Sequence, residues 1–496
     1  MLIGGLDIGT TGCKLSGYDE QGSFVCNSYK EYEIRRRGGE HEIDASTIFG
    51  AVCDVIRTTL ATHQLAAIGV TSFGETFVAL DERDEVLLPA MLYTDPRGEV
   101  ECDELCAVLG KARLIEISGT KPHSMYSLPK MMWIKKNLPE TYEKIKRITL
   151  MGDYIVYMLS GNACIDYSLA ARTMALDIRK KEWSKEILSA AGIDASLLSK
   201  PVPTGSLVGT MKPELARELG ATNEISIVIG AHDQVATTVG AGILEPGEAV
   251  DGTGTVECIV PIFNEIPTNE ELYNKGYAVV PYALDGTYAC YAFSFTGGAV
   301  LKWFRDHFTA QYEGAENIYA ELDRKAPTDP TGILVLPHFA GAATPYMDNG
   351  SKAAIVGLTL EHGANDLYRA LMEGVTYEMM LNVEQLERFG IVPTRLYATG
   401  GGANSDVWLK IKADVLNRPI TALSAKEVGA AGTCMLTGVA IGLYRDLREA
   451  KSVFVKERKT YKPDAAQAEA YRPYYKAYRE MYNAVRPIVE VLNEKQ

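Results

Sequence analysis

Apolar residues in this chain gather into short blocks that end at glycine-rich turns, and these alternate with longer stretches in which they recur every third or fourth position. The first block, Leu2, Ile3 and Leu6, runs into Asp7-Ile8-Gly9-Thr10-Thr11-Gly12-Cys13-Lys14, resumes at Leu15 to Tyr18 and turns at Glu20-Gln21-Gly22. It predicts a strand, a glycine turn, a second strand and a return. Ile225 to Ile229 predicts a short buried strand ending at Gly230-Ala231-His232-Asp233-Gln234. From Asp366 to Phe389, Leu367, Leu371, Val375, Met379, Val383 and Leu386 fall three or four apart, the stripe of an amphipathic helix that should pack on a sheet. Leu396 to Thr399 predicts a strand opening into Gly400-Gly401-Gly402-Ala403-Asn404-Ser405, and Asp406 to Leu416 resumes the helical period. A tyrosine-rich amphipathic stretch from about Ala465 to Leu492 predicts a closing helix. Strand and helix signals that alternate in this way indicate a layered α/β fold.

The opening pattern recurs. Asp251-Gly252-Thr253-Gly254-Thr255 follows Ala249-Val250 and precedes Val256, Ile259 and Val260, and Asp251 comes 244 residues after Asp7. A duplicated architecture with one such turn per half follows, divided near Leu244-Glu245-Pro246-Gly247, into residues 1–245 and 246–496. At 496 residues the chain has room for two such cores, and 47% hydrophobic and 23% charged residues are ordinary globular usage.

Charge narrows the choice of partner. The net charge is −14, from 50 Lys and Arg against 64 Asp and Glu, so the surface should repel nucleic acid and acidic lipid. Any phosphate ligand must then be held locally, by backbone N–H groups, a metal ion or a few placed cations. Nine cysteines without metal-ligand spacing are expected to be reduced thiols. With no signal-like start and no apolar run of spanning length, the expected location is the cytoplasm.

Three motifs carry candidate chemistry. Gly9, Thr10, Thr11 and Gly12 form a turn able to cradle a polyphosphate, with Lys14 as an added cation and Asp7 placed to hold a magnesium ion through water; an ordinary hairpin turn is the alternative. Gly252, Thr253, Gly254 and Thr255 repeat the device. Gly400, Gly401 and Gly402 stand between a strand and a helix, where backbone can approach an adenine or ribose; they match neither the dinucleotide nor the P-loop pattern, and a tight packing turn is the other reading. Asp233 follows a strand directly and is either a general base or a helix cap. An aspartate in that role is expected to be ionised without assistance.

The whole chain resembles the FGGY carbohydrate kinases. Tyr126 to Asn137 and Ala353 to Glu373 look like the family's two signatures, Leu371 replacing a smaller residue. The resemblance implies two ribonuclease-H-like (actin-like ATPase) domains flanking an interdomain cleft, with ATP and Mg²⁺ as cofactors. It makes Asp7 to Lys14 the first phosphate motif, Asp251 to Thr255 the second, Gly400 to Asn404 the adenosine motif and Asp233 the catalytic base. Phe73, Gly74, Glu75 and Thr76 correspond to the sugar-contacting segment, with Tyr93 and Asp95 downstream. Glu75-Thr76 is similar to the glycerol kinase pattern, with Gly74 for its arginine, and Tyr93-Thr94-Asp95 is similar to the xylulokinase one. Glu75, Asp95 and Asp233 are expected to form an acidic, hydroxyl-binding wall that disfavours a phosphorylated sugar. The implied reaction moves the γ-phosphate of ATP to a small ketose or polyol, first a pentulose such as xylulose, with L-fuculose, glycerol or another polyol as alternatives. An actin-like ATPase switch and a non-catalytic sugar sensor are the rival classes, and a homodimer is the expected assembly.

Overall fold

The computed structural model describes residues 1–310, 316–424 and 427–494. The chain divides into two compact units. Unit 1 is Met1–Leu244 with Ala278–Ala289 and Glu427–Val455; unit 2 is Glu245–Tyr277, Cys290–Lys426 and Lys456–Gln496.

Unit 1 is organised by a six-stranded sheet in the order Ser206–Thr210, Ser226–His232, Ala67–Ser72, Leu2–Ile8, Gly12–Asp19, Phe24–Glu31. The three central strands run parallel and the outer pairs antiparallel. Ile3, Leu6, Ile8, Ile68, Val70 and Ile227 to Ile229 are inaccessible to solvent, as continuous apolar runs in parallel strands should be. The predicted Ile225–Ile229 strand extends to His232, and Asp233 begins the helix Asp233–Gly240.

Unit 2 repeats the topology. Glu257–Phe263, Glu248–Thr253, Arg395–Thr399, Ile420–Leu423 and Glu457–Tyr461 lie in that order within its eight-stranded sheet, and Ala292–Ser294 pairs with Glu257–Phe263 as a branch off this path. The senses from that branch onward, antiparallel, antiparallel, parallel, parallel, antiparallel, match those met on crossing the unit 1 sheet from Phe24–Glu31. One detail of the expected repeat shifts. In the first hairpin Gly9 donates its N–H to the Gly12 carbonyl at 2.9 Å, and in the second Gly254 donates to Val256 at 2.9 Å. The counterpart of Gly9 is therefore Gly254, Gly252 stands for Asp7, and Asp251 occupies the place of the core residue Leu6.

The amphipathic stripe becomes the helix Ala364–Arg388. Its second half packs Met379 and Val383 on Ala249, Ile259, Leu396 and Ala398 of the sheet, and its first half packs Leu371 and Val375 among Phe304, Val335, Trp408 and Tyr471. The closing helix spans Ala465–Asn493 and buries Tyr471, Tyr478 and Tyr482. No described helix is long and apolar enough to cross a membrane.

The helix that starts at Asp233 is seated by small residues. It crosses the helix Val428–Ala440 so closely that a Cβ on Gly432 would lie 1.9 Å from the Ala236 carbonyl, and one on Gly240 1.9 Å from that of Val428. Gly432→Ala should cost about 1–3 kcal/mol through forced backbone separation. Gly50→Ala, in the helix Ala45–Leu60 with nothing within 4 Å, should instead gain about 0.4–1 kcal/mol. Urea unfolding of both variants checks the contrast; equal effects would mean that the helix crossing tolerates separation.

Candidate active site

In open α/β sheets, ligands gather beyond the carboxyl ends of parallel strands. Three adjacent parallel strands of unit 1 end at Ile8, Ser72 and His232, and they deliver Asp7 with the first glycine turn, Phe73 to Thr76, and Asp233 to one place.

Asp233 begins its helix, where the positive end of the macrodipole favours a carboxylate. Its Oδ1 accepts the Gln234 N–H at 2.6 Å and lies 3.2 Å from His232 Nε2, while the side chain stays 38% exposed. Lost solvation, then the carboxylates of Asp7 and Glu75, push its pKa up to about 7, against a smaller pull downward from Arg172. Unassisted ionisation is thus corrected: near neutrality the group is divided between its two forms. His232 is buried, and burial with the Arg172 charge holds its pKa well below the ordinary value, leaving the ring neutral. The His232 N–H donates to Ser168 Oγ at 2.9 Å, and Ser168 donates to the buried Asp166 at 2.6 Å, which fixes the backbone just before the base.

Glu75 has a left-handed backbone, φ 63°, unusual for a side chain of its size. Ser127 Oγ donates to its carbonyl at 2.5 Å, and its carboxylate is paired with Arg172, whose Nε stands 2.6 Å away; Arg172 Nη2 contacts the same oxygen. The guanidinium lies 5.1 Å from the centre of the Tyr126 ring. Gly74 is required here, since a Cβ would come within 2.9 Å of Arg172 Cγ.

Asp95 is fully buried, and its two oxygens accept four hydrogen bonds, from His41 N, Arg97 N, Arg97 Nε and Arg97 Nη2, at 2.7–3.0 Å. A carboxylate offers about four acceptor sites, so Asp95 has none left for a sugar hydroxyl in this arrangement. Arg97 also binds Glu42 at 2.8 Å. The acidic wall is corrected accordingly: two of its three carboxylates face guanidinium groups. Tyr93 remains 42% exposed, Phe73 and Thr76 are buried, and the charges of Glu75 and Asp233 both act on Tyr93.

In the first turn Thr10 is half-buried and Thr11 exposed. Tyr32 braces the turn, its hydroxyl on the Gly9 carbonyl at 2.5 Å and its N–H on that of Thr11 at 3.1 Å. Lys14 pairs with Glu427 at 2.7 Å, so its charge is shared. Burial pushes the Asp7 carboxyl up to about 6, Lys14 drawing it down and Glu427 raising it further.

In unit 2, Gly254, Thr255, Gly400, Gly401 and Asn404 are exposed and Gly252 and Gly402 are partly so. Thr253 differs from the expected hydroxyl donor: it is 1% exposed and its hydroxyl faces Lys412, 2.6 Å away. Gly400, with φ 78°, lies against the Thr253 carbonyl, where a Cβ would approach to 2.5 Å. Arg172, Ser168, Arg97, Glu427 and Lys412 were not singled out from the sequence. Only Arg97, two residues after Asp95 in Asp95-Pro96-Arg97, had a local signal, an aspartate followed by a turn proline and a cation.

Two ribonuclease-H-like sheets, with glycine turns and a base candidate at their strand ends, define a phosphotransferase of the sugar kinase kind. Comparison specifies the family. Residues 2–240 match the N-terminal domain model of the FGGY family of carbohydrate kinases and residues 267–441 its C-terminal domain model, and the chain belongs to that family. It is 30% identical to a gluconokinase of Bacillus subtilis over 94% of this chain and 93% of that protein. It is 27% identical to a xylulose kinase of Lactococcus lactis subsp. lactis over 99% and 98%. The crystal structure of a ligand-bound xylulose kinase from Lactobacillus acidophilus superposes with a TM-score of 0.89 at 25% identity, covering 98% of each chain.

Arg172→Met tests the charge pairing. Leaving Glu75 buried without its cation should cost about 3–5 kcal/mol, measured by thermal or urea unfolding. Because Arg172 pulls the Asp233 pKa down, the acid limb of the activity profile should move to higher pH. An unchanged profile in a folded variant would remove Arg172 from the electrostatics of the base.

Proposed function

We propose that this kinase transfers the γ-phosphoryl group of Mg-ATP to a hydroxyl of an open-chain pentulose, with xylulose the first candidate. The observation that carries the reading is Asp233: a carboxylate with a pKa near 7, at a parallel strand's carboxyl end, beside the Glu75–Arg172 pair and the first glycine turn. Asp233 accepts the hydroxyl proton as the new O–P bond forms. The bond from the γ-phosphorus to the bridging oxygen breaks, and ADP departs with the electron pair. Little covalent chemistry falls to the protein; positioning and charge do the work. Arg172 pairs with Glu75 and holds its carboxylate in place as a hydroxyl acceptor. Thr10 and Thr11 are the residues proposed to meet phosphate oxygens, and Gly254, Thr255 and the glycines at 400–402 those proposed to meet the nucleotide.

Asp7 would hold a magnesium ion, with waters and the phosphates completing its shell. The Asp7 carboxylate raises the proton affinity of Asp233, a surplus of negative charge that a divalent cation would relieve, and Mg²⁺ is commonly held by one or two carboxylates with waters and phosphates. When bound, it would neutralise charge on the transferring phosphoryl group.

One observation favours a second substrate. The gluconokinase relative is 30% identical, and guanidinium groups balance two of the wall's carboxylates, so a sugar acid would not meet the repulsion that an all-acidic wall would impose. An ADP-release screen across xylulose, other ketoses, glycerol and gluconate decides between them. ATP consumption that ignores every added sugar would instead favour the ATPase-switch class, and sugar binding without turnover the sensor.

Asp233→Asn should leave ATP affinity near wild type and lower kcat by about two to four orders of magnitude. In the unmodified protein, kcat/KM for the sugar should fall about tenfold per pH unit below about 7, where Asp233 is protonated, and level off above it. Near-normal turnover in the purified Asn variant, or a flat profile between pH 5 and 8, would defeat the assignment.

A further inference from the structure

Unit 2 buries an ion cluster that the phosphoryl-transfer chemistry does not use. Lys412, in the helix Asp406–Leu416, is 1% exposed, and its Nζ lies 2.7 Å from Asp251 Oδ2, 2.9 Å from Glu257 Oε1 and 2.6 Å from Thr253 Oγ1. Its ammonium also stands 5.1 Å from the centre of the Trp408 ring. Asp251 and Glu257 are fully buried, and Asp251 Oδ1 and Glu257 Oε2 take no hydrogen bond. Two carboxylates thus share a single cation, and burial raises the proton affinity of Glu257, Lys412 opposing and Asp251 adding to it.

Such a cluster is an expensive way to fill a core, since apolar side chains of similar volume are often neutral or better for stability. Its placement is specific. Thr253 and Glu257 are the residues that close the second glycine turn, paired across the hairpin, and Asp251 lies two residues before Thr253 on the same strand. Lys412 reaches all three from the helix that begins directly after the 400–404 loop, and that loop rests on Thr253: a Cβ on Gly402 would lie 2.6 Å from Thr253 Cβ. One ammonium therefore ties both arms of the turn to the helix launched by the triple-glycine loop.

We propose that Lys412 is a positioning residue for the nucleotide, holding the 253–255 turn in register with the 400–402 loop so that both meet one ATP molecule. This rests on the reading of those two segments as the nucleotide loops. Lys412 touches no substrate and acts through Thr253.

The test uses two variants of the full chain, with ATP affinity measured by titration calorimetry and KM determined separately for ATP and for the sugar. Lys412→Met should raise Kd and KM for ATP at least tenfold and leave the sugar KM within twofold. Because it also strands two buried carboxylates, the second variant carries Lys412→Met, Asp251→Leu and Glu257→Met and leaves no charge in the cluster. It should unfold at or above the wild-type temperature and still bind ATP at least tenfold more weakly. A triple variant with ATP affinity within twofold of wild type would overturn the inference, and so would one that fails to fold, because the cluster would then serve the core alone. Gly400→Val separates the two levels: if it leaves ATP affinity intact, the nucleotide reading fails with the inference; if it abolishes binding while the triple variant binds normally, the inference alone fails.

Discussion

A carboxylate taken out of water must be compensated, and unit 1 takes several out of water. Each is compensated differently, and the difference decides what each can do. Asp95 is saturated by Arg97 and backbone N–H groups and is chemically quiet. Glu75 is paired with one buried arginine, which fixes its orientation. Asp233 has a backbone N–H, a neutral histidine, a helix terminus and a small downward pull from Arg172, against which burial and the charges of Asp7 and Glu75 raise its proton affinity to about 7, the range in which a base can both take up and release a proton.

That gradation depends on backbone placement. The parallel core brings the three strand ends together, and the glycine crossing of the 233–240 and 428–440 helices holds the helix of Asp233 close behind the sheet. Asp166 and Ser168 fix the peptide on the other side of the junction. The short helix Tyr167–Ala171 thus serves the site twice, through Ser168 within it and through Arg172 at its carboxyl end. A base whose backbone is held from both sides keeps its proton affinity because its neighbours cannot drift.

Local signals in the sequence carried much of this. The hairpins with their glycine turns and the long helix at 366–389, observed at Ala364–Arg388, were legible because their periods are local and the glycines mark where backbone must turn. The charge partners were not. Arg172, Glu427 and Lys412 lie 97, 413 and 161 residues from Glu75, Lys14 and Asp251, and a lone cation on a helix usually reads as a solvated face. Asp95 was misread as an open acceptor although its partner stood two residues on. Thr253 was misread because the side-chain period of a strand is two, and a shift of one residue turns a hydroxyl from ligand to core.

The same one-residue shift explains how the two halves diverged. Both sheets have one topology, and both hairpins close on a glycine that donates across the turn. In unit 1 the aspartate falls on the half-exposed register of its strand, where it stands beside Lys14 and close enough to Asp233 to raise its proton affinity. In unit 2 that register holds Gly252, and the aspartate one residue earlier points into the core. An inward carboxylate cannot serve a ligand and must be compensated where it is, which the geometry does by recruiting Lys412. One repeat therefore spends its acidic residue on chemistry and the other on holding a turn, and the division follows from strand alternation before any substrate is considered.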